Sequence, residues 1–529
     1  MSAEKVYLRG DVLAEPLFNQ WYAWSSLIPP ATSAMFIANS HLKIMQSFVS
    51  APEVHAAALR NPAMRGGPFI AYDTSRVKDV KALMEKTIKD QAHILEFAAA
   101  LQRLSEMVVN EGDGSSLEPL YERVPDILKG YVELVYDLNN HPSIRFIEGL
   151  LYESPYYSPS SQSISLSRGG IDERPFVLST PQLMDKEHVL LSVPFNSREV
   201  DAFFKMKSEP QSLGYARELL GGQECDEALF SSFFTPEAPR QSEKYAGDGV
   251  RVRYFGHAAV LIETREVSIM LDPLISYENN SGIGRYSYAD LPETIDYVLL
   301  THNHQDHCVF ETLLQLRHKI KNIIVPKNNG GGLADPSLKL ILRQVGFPRV
   351  GEIDEMESIE IEGGMLMGLP FLGEHADLNI RTKIAHLISL KGKSILCAAD
   401  SNNIEPRLYE HIYRVIGEVD VLFLGMECDG GPLSWLYGPL LTKPLARKHD
   451  QSRRLNGSDC RKGMRIIDCL RPRRAYVYAM GQEPWLTYLT SICYTEESQP
   501  IIESNKLVAE CRSRGIESER LFGYKEIMI

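Results

Sequence analysis

From about residue 250 to the C-terminus, short apolar runs alternate with stretches whose apolar residues recur at helical spacing. Residues 250–262 predict a strand that turns near Thr264-Arg265-Glu266 into a second one ending at Asp272-Pro273. Residues 297–300, 322–326, 365–367, 384–390, 395–399, 419–425 and 474–480 read as further strands, and 311–316, 338–345 and 407–412 as helices. That succession predicts an αββα sandwich, two sheets packed together with helices outside. The first 245 or so residues differ. Val80, Leu83, Met84, Ile88, Leu95, Leu101, Leu104 and Met107 recur near helical spacing until Glu111-Gly112-Asp113-Gly114 stops them. A further helix is expected over 119–138, a long Ser-, Tyr- and Pro-rich loop over 154–170, and a strand over 188–195. The pattern therefore predicts a mixed α+β domain over 1–245, suited to dimerisation or substrate positioning. An α/β domain follows over 246–529, with the boundary between Thr235 and Asp248.

One stretch concentrates chemistry. Thr301-His302-Asn303-His304-Gln305-Asp306-His307 follows the apolar run 297–300 directly. A strand ending there sets His302 and His304 on one side, because side chains two apart share a face. Asp306 and His307 then fall in the turn before the next helix, within reach of a second ion. A single metal takes two or three of these groups, so four suggest a metal pair. A polar loop of solvated histidines is the competing reading, and it is rare at the end of a buried strand.

This motif resembles the signature of the metallo-β-lactamase fold, over about residues 248–480. By that resemblance Asp272 is the acid that buttresses the metal loop, and Asp400, closing the strand 393–399, is the carboxylate that bridges the two metals. Two departures separate the chain from the di-zinc hydrolases of this fold. The third motif, Gly373-Glu374-His375-Ala376-Asp377, has glutamate where a ligand is expected. The late strand 474–480 runs into Gly481-Gln482-Glu483 without a histidine. The expected metal set is His302, His304, Asp306, His307, Glu374 and Asp400, with Glu374 and Asp400 as candidate catalytic residues. Three imidazoles with three carboxylates shift the preference towards iron or manganese, although affinity order does not exclude zinc.

With these features the chain resembles the diiron β-hydroxylases of the CmlA type, from chloramphenicol biosynthesis, in the HNHQDH run, Glu374, Asp400, total length and large N-terminal region. The resemblance implies a dinuclear iron centre, with His302, His304 and Glu374 on one iron, Asp306 and His307 on the other, and Asp400 between them. It also implies dioxygen as co-substrate, an external two-electron reductant with its electron-transfer donor, and hydroxylation at the β-carbon of an aminoacyl thioester. That thioester would sit on a nonribosomal-peptide-synthetase carrier domain. A homodimer is expected. The alternative is a dinuclear zinc metallohydrolase acting on a thioester, lactone or phosphodiester, since one fold hosts both chemistries.

Composition narrows the remaining classes. The chain has 529 residues, 44% hydrophobic and 24% charged, ordinary for a globular protein of two or three domains. The opening Met1-Ser2-Ala3-Glu4-Lys5-Val6-Tyr7 lacks a secretory apolar segment, and no apolar run approaches the ~20 residues of a membrane span. Eight cysteines, all beyond residue 224 and without CxxC spacing, read as reduced thiols of a cytoplasmic protein. Cys308, next to the metal motif, reads as a packed thiol. The net charge of −13 argues against a nucleic-acid partner and hence against a nuclease of this fold. Yet Lys443 to Arg474 holds eleven basic residues against three acidic ones, a net of +8. This segment is either a solvated helix face or a landing site for an anionic partner.

Overall fold

The computed structural model describes residues 5–169, 172, 174–219, 226–279, 281–328 and 330–529. Two seven-stranded sheets form the centre of the C-terminal half. The first runs, edge to edge, Val350–Ile353, Ile320–Pro326, Ile295–Leu299, Ser268–Leu271, Val260–Glu263, Arg251–Tyr254 and Lys525–Met528. The second runs Ser358–Ile361, Gly364–Leu369, Ala385–Leu390, Lys393–Cys397, Val421–Gly425, Arg474–Tyr478 and Glu517–Arg520. Val252, Tyr254, Ile262, Ile269 and Leu299 of the first sheet meet Leu366, Ile388, Ile395, Val421, Phe423 and Tyr476 of the second in one dry core. Helices Arg407–Ile416, Cys460–Leu470 and Gln499–Ser513 cover the outer face of the second sheet through Ile412, Ile467 and Leu507. The expected αββα sandwich is present. Central strands such as Val421–Gly425 are buried at every position, as a parallel strand covered on both faces must be.

The outer face of the first sheet is covered differently. Helix Phe310–Leu316 and the N-terminal half share a single hydrophobic cluster, in which Trp24, Phe36, Phe195 and Phe203 join Leu261, Met270, Leu313 and Leu342. The N-terminal half holds a four-stranded sheet (Val12–Phe18, Trp21–Tyr22, Gln162–Arg168, Val189–Leu191) and the helices Val77–Asp90 and Ala92–Glu111. The last of these ends at the expected stop before Gly112.

Three local expectations fail for identifiable reasons. Residues 250–262 form two strands rather than one, folded back on each other at Gly256, whose φ of +103° admits a tight turn. Residues 119–138 are not an α-helix. Pro119 and Pro125 limit the first part to 3₁₀ turns, and the alternating Val132–Tyr136 pairs as a hairpin with Pro142–Phe146. The stretch expected as a loop over 154–170 contains strand Gln162–Arg168, paired along its length with Val12–Phe18. Its serines are buried between sheet neighbours, so polarity there did not mean exposure.

Candidate dinuclear metal centre

The HxHxDH residues lie in the loop between strand Ile295–Leu299 and helix Phe310–Leu316, at one end of the sandwich. Asp272, closing the parallel neighbour strand, shapes that loop. Its Oδ1 accepts the Thr301 N–H at 2.8 Å, and its Oδ2 accepts the Thr301 hydroxyl at 2.6 Å and faces His307 Nδ1 at 2.8 Å. The outer nitrogen of each imidazole is thus engaged. Thr301 Oγ1 stands 3.0 Å from His302 Nδ1, Asp272 holds His307 Nδ1, and Tyr437 and His375 lie 3.1 and 3.0 Å from His304 Nε2. Such outer partners fix ring orientation and leave the second nitrogen free for a cation.

The inner atoms converge. His304 Nδ1 meets Glu374 Oε1 at 2.5 Å; His302 Nε2 lies 3.9 Å from Glu374 Oε2 and 3.7 Å from Asp400 Oδ2; His307 Nε2 lies 3.1 Å from the same Asp400 oxygen. His302, His304 and Glu374 form one group with the spacing of a metal site, and His302, His307 and Asp400 a second. His302 is common to both groups, and Asp400 Oδ2 stands between His302 and His307. A third group joins His307 and Asp306 to His257, which sequence reasoning missed. His257 Nε2 is 3.2 Å from Asp306 Oδ2, while its Nδ1 accepts the Gly481 N–H at 3.1 Å. The His257 Nε2–Asp306 contact lacks hydrogen-bond alignment and Nε2 has no other partner, so His257 stands as a further candidate ligand beside Asp306 and His307. The signal that could have found it was Gly256-His257 inside a supposed strand, since glycine there marks a turn.

The groups of this site are pulled in opposite directions by burial and by the neighbouring charges. Burial, with the neighbouring imidazoles His307 and His304, holds the His302 pKa well below the ordinary histidine value. Burial also opposes charge on His307, but Asp400 and Asp272 raise its pKa well above the ordinary value. Burial raises Glu374 despite His304 beside it, whereas at Asp306 the His257 contact and His307 outweigh burial and lower the pKa. His302 Nε2 and Asp400 Oδ1 are buried without a hydrogen-bond partner, and the His307 Nε2–Asp400 contact lacks hydrogen-bond alignment. Orphaned buried atoms of this kind are costly unless a cation takes them up. Three imidazoles and three carboxylates supply the donors that two irons need, so the residues present fit a dinuclear iron centre.

Glu374 has φ of +68°, after Gly373 at +80°, and a side chain on Gly373 would come within 2.4 Å of Asn402 Cβ. The loop is wound tightly so that Glu374 turns inward, while His375 lies behind His304, with its Nδ1 3.1 Å from the Tyr437 hydroxyl. Tyr437 comes from the stretch 428–437, whose last part is helix Leu433–Tyr437. Cys308 is buried with a raised pKa, and His386 is held by the Leu300 carbonyl at 3.0 Å, both as packed residues. A narrow cleft adjoins His304 and His375, walled by Trp24 and Phe36 of the N-terminal half and by Ile380, Leu436, Tyr437 and Leu440. The N-terminal half reaches the metal loop itself, where Ser25 Oγ donates to the Asn303 carbonyl at 3.2 Å.

This arrangement has close counterparts. Residues 7–239 match the family described as diiron non-heme beta-hydroxylase N-terminal domain, and 251–427 match a beta-lactamase superfamily domain. The 4-amino-L-phenylalanyl-[CmlP-peptidyl-carrier-protein] 3-hydroxylase of Streptomyces venezuelae is 41% identical over 526 residues, covering 97% of this chain and 98% of that protein. The chain belongs to the diiron β-hydroxylase family. The crystal structure of CmlA, a diiron β-hydroxylase from the same organism, superposes with a TM-score of 0.92 at 38% identity, covering 100% of both chains. A metal-dependent hydrolase of Rhizobium johnstonii matches only 58 residues at 38% identity, 11% of this chain and 24% of its own length. The family assignment implies a dinuclear iron centre and dioxygen as co-substrate, which the carboxylate-rich donor set described above accommodates.

Proposed function

We propose that the protein hydroxylates the β-carbon of an aminoacyl group held as a thioester on a nonribosomal-peptide-synthetase carrier domain, in natural-product biosynthesis. The carrying observation is the placement of Glu374 against His304 at 2.5 Å, a carboxylate where the hydrolases of this fold use histidine. The full-length relative that acts on a carrier-bound aminoacyl group supports the same substrate class. In this reading His302, His304 and Glu374 would hold one iron and Asp306 and His307 the other, with Asp400 as the carboxylate shared between them. When bound, the iron pair supplies reductive activation of dioxygen. In balance, one C–H bond, one dioxygen, two electrons and two protons give one C–OH and one water.

The chain's own residues do the positioning. Asp272 and Thr301 fix His302 and His307, His257 stands 3.2 Å from Asp306, and Tyr437 with His375 fixes His304. Trp24, Phe36, Leu436 and Leu440 give the cleft beside His304 an apolar wall, which limits the access of water to the centre. The electrons come from a separate donor protein, and the N-terminal domain over 1–245 carries substrate positioning and a homodimer contact. We place the enzyme in the cytoplasm. The described cysteines are unpaired, and no described helix is long and apolar enough to cross a membrane.

The test is metal analysis joined to turnover. Protein purified with ample iron should hold two irons per chain and, with reductant and oxygen, convert a carrier-loaded amino acid to its β-hydroxy product. Two tightly bound zincs with hydrolytic activity, and no oxygen-dependent product, would return the metallohydrolase to first place.

A further inference from the structure

The +8 segment divides into two parts once its contacts are known. Arg454, Arg471, Arg473 and Arg474 pair with Asp429, Glu418, Asp420 and Glu517, so their charge is largely answered within the chain. Arg453 donates from Nε to the Ala376 carbonyl at 2.9 Å, and Lys462 Nζ donates to Asn402 Oδ1 at 2.7 Å; both serve the loops around the metal centre. Lys443, Arg447 and Lys448, with Arg461 and Arg465, are exposed and have no carboxylate partner among the described residues.

Three of these five cations occupy one short segment with a particular position. Leu436, Tyr437 and Leu440 line the cleft beside His304. The chain continues through Lys443 into helix Arg447–Ser452, which carries Arg447 and Lys448. That helix is fastened back onto the cleft wall, because Asp450 accepts the Ser434 N–H at 2.8 Å and the Ser434 hydroxyl at 2.7 Å. The Leu433 N–H also donates to the Arg453 carbonyl at 2.8 Å. The cationic ridge therefore sits one layer outside the residues that face the cleft. The Asp450 carboxylate is turned inward and consumed by Ser434, which leaves the ridge positive.

We propose that Lys443, Arg447 and Lys448 form the docking surface for the carrier domain, next to the cleft that Leu436 and Leu440 line beside the metal centre. This assignment rests on the carrier-bound reading above. The chemistry it recognises is a phosphodiester-bearing arm on an acidic protein surface. Arginine binds phosphate oxygens in a fork, and lysine adds an adaptable charge. On a chain of net charge −13 a local positive ridge also selects where an acidic partner can land, because like charges repel it elsewhere.

Binding of the purified carrier to the iron-loaded full-length enzyme, measured by fluorescence anisotropy with and without the aminoacyl group, tests the proposal beside steady-state turnover. The triple variant K443E/R447E/K448E should raise the carrier Kd and KM by about tenfold or more, with iron content and optical spectrum unchanged. R461E/R465E, on the other exposed cationic helix, should change them less than about twofold. Wild-type affinity should fall steadily with added salt, a measurement that needs no variant to fold. Salt-independent binding, an unaffected triple variant, or a larger loss in R461E/R465E would each overturn the assignment. Failure of the underlying reading has a different signature, in which the wild-type enzyme turns over free amino acid as well as the carrier-loaded form.

Discussion

Glu374→Ala should emerge from purification with about one iron per chain instead of two, and His375→Ala with both. Glu374 Oε1 lies 2.5 Å from His304 Nδ1, the inward nitrogen, and its second oxygen faces His302 Nε2. Deleting that carboxylate removes one of three donors of a group and leaves the inward nitrogens of His302 and His304 without the carboxylate they face. His375 Nδ1 lies 3.0 Å from Glu374 Oε2, 3.0 Å from the outer nitrogen of His304 and 3.1 Å from the Tyr437 hydroxyl, and Tyr437 remains to hold the His304 ring when His375 is cut back. An orienting partner of this kind typically changes metal affinity by about 10–100-fold, so two irons should survive in His375→Ala at saturating iron. Hydroxylation should fall by more than about 100-fold in Glu374→Ala and by about tenfold in His375→Ala. Iron analysis and the optical spectrum of the two variants decide the matter. If His375→Ala is the one that loses iron, the third motif works as in the hydrolases and the ligand set is wrong.

What could be read from residues alone follows a physical division. The second-sheet strands and the metal loop were legible because buried parallel strands are continuous apolar runs and because ligands crowd where such a strand ends. The inward turn of Glu374 was legible only as a departure from a pattern, since the +68° backbone that produces it has no signature beyond the preceding glycine. His257 escaped because its meaning depends on Gly481 and Asp306, which are distant in sequence and meet only when the late strand packs beside the hairpin. The basic segment was counted correctly as charge, yet which cations are answered by Asp429, Glu418, Asp420 and Glu517 depends on neighbours 25 to 53 residues away or on flanking strands. The N-terminal half was least legible. Its buried serines and 3₁₀ turns follow tertiary pairing rather than local preference.

Arg174→Ala should lower stability by about 3–5 kcal/mol, an effect far above that of any exposed ion pair in the chain. Glu311 opens helix Phe310–Leu316, four residues after His307, and is fully buried. Its carboxylate accepts from Tyr22 at 2.9 Å, Tyr277 at 2.7 Å, Tyr488 at 3.1 Å and both terminal nitrogens of Arg174 at 3.0 and 3.2 Å. Arg174 also meets Glu15 at 2.9 Å and lies 3.3 Å above the Tyr488 ring. Burial opposes its charge, but Glu311, Tyr488 and Glu15 raise its pKa well above the ordinary value. Tyr22, Glu15 and Arg174 belong to the N-terminal half, whereas Glu311, Tyr277 and Tyr488 belong to the sandwich, so the cluster fastens one to the other. Removing Arg174 leaves Glu15 and Glu311 as buried carboxylates without their shared cation, which costs much more than the pair's net contribution. Glu311→Gln should be less damaging in the Arg174→Ala background than in the wild type, because it neutralises the charge left unpaired. The cycle should show about 1–3 kcal/mol of coupling. Arg471→Ala, which breaks an exposed pair with Glu418 at 3.3 Å, should stay within about 0.5 kcal/mol. Thermal and urea unfolding of the four proteins and the Arg471→Ala control measure these differences. Equal losses for Arg174→Ala and Arg471→Ala, or no coupling with Glu311→Gln, would mean that the buried cluster does not hold the two halves together.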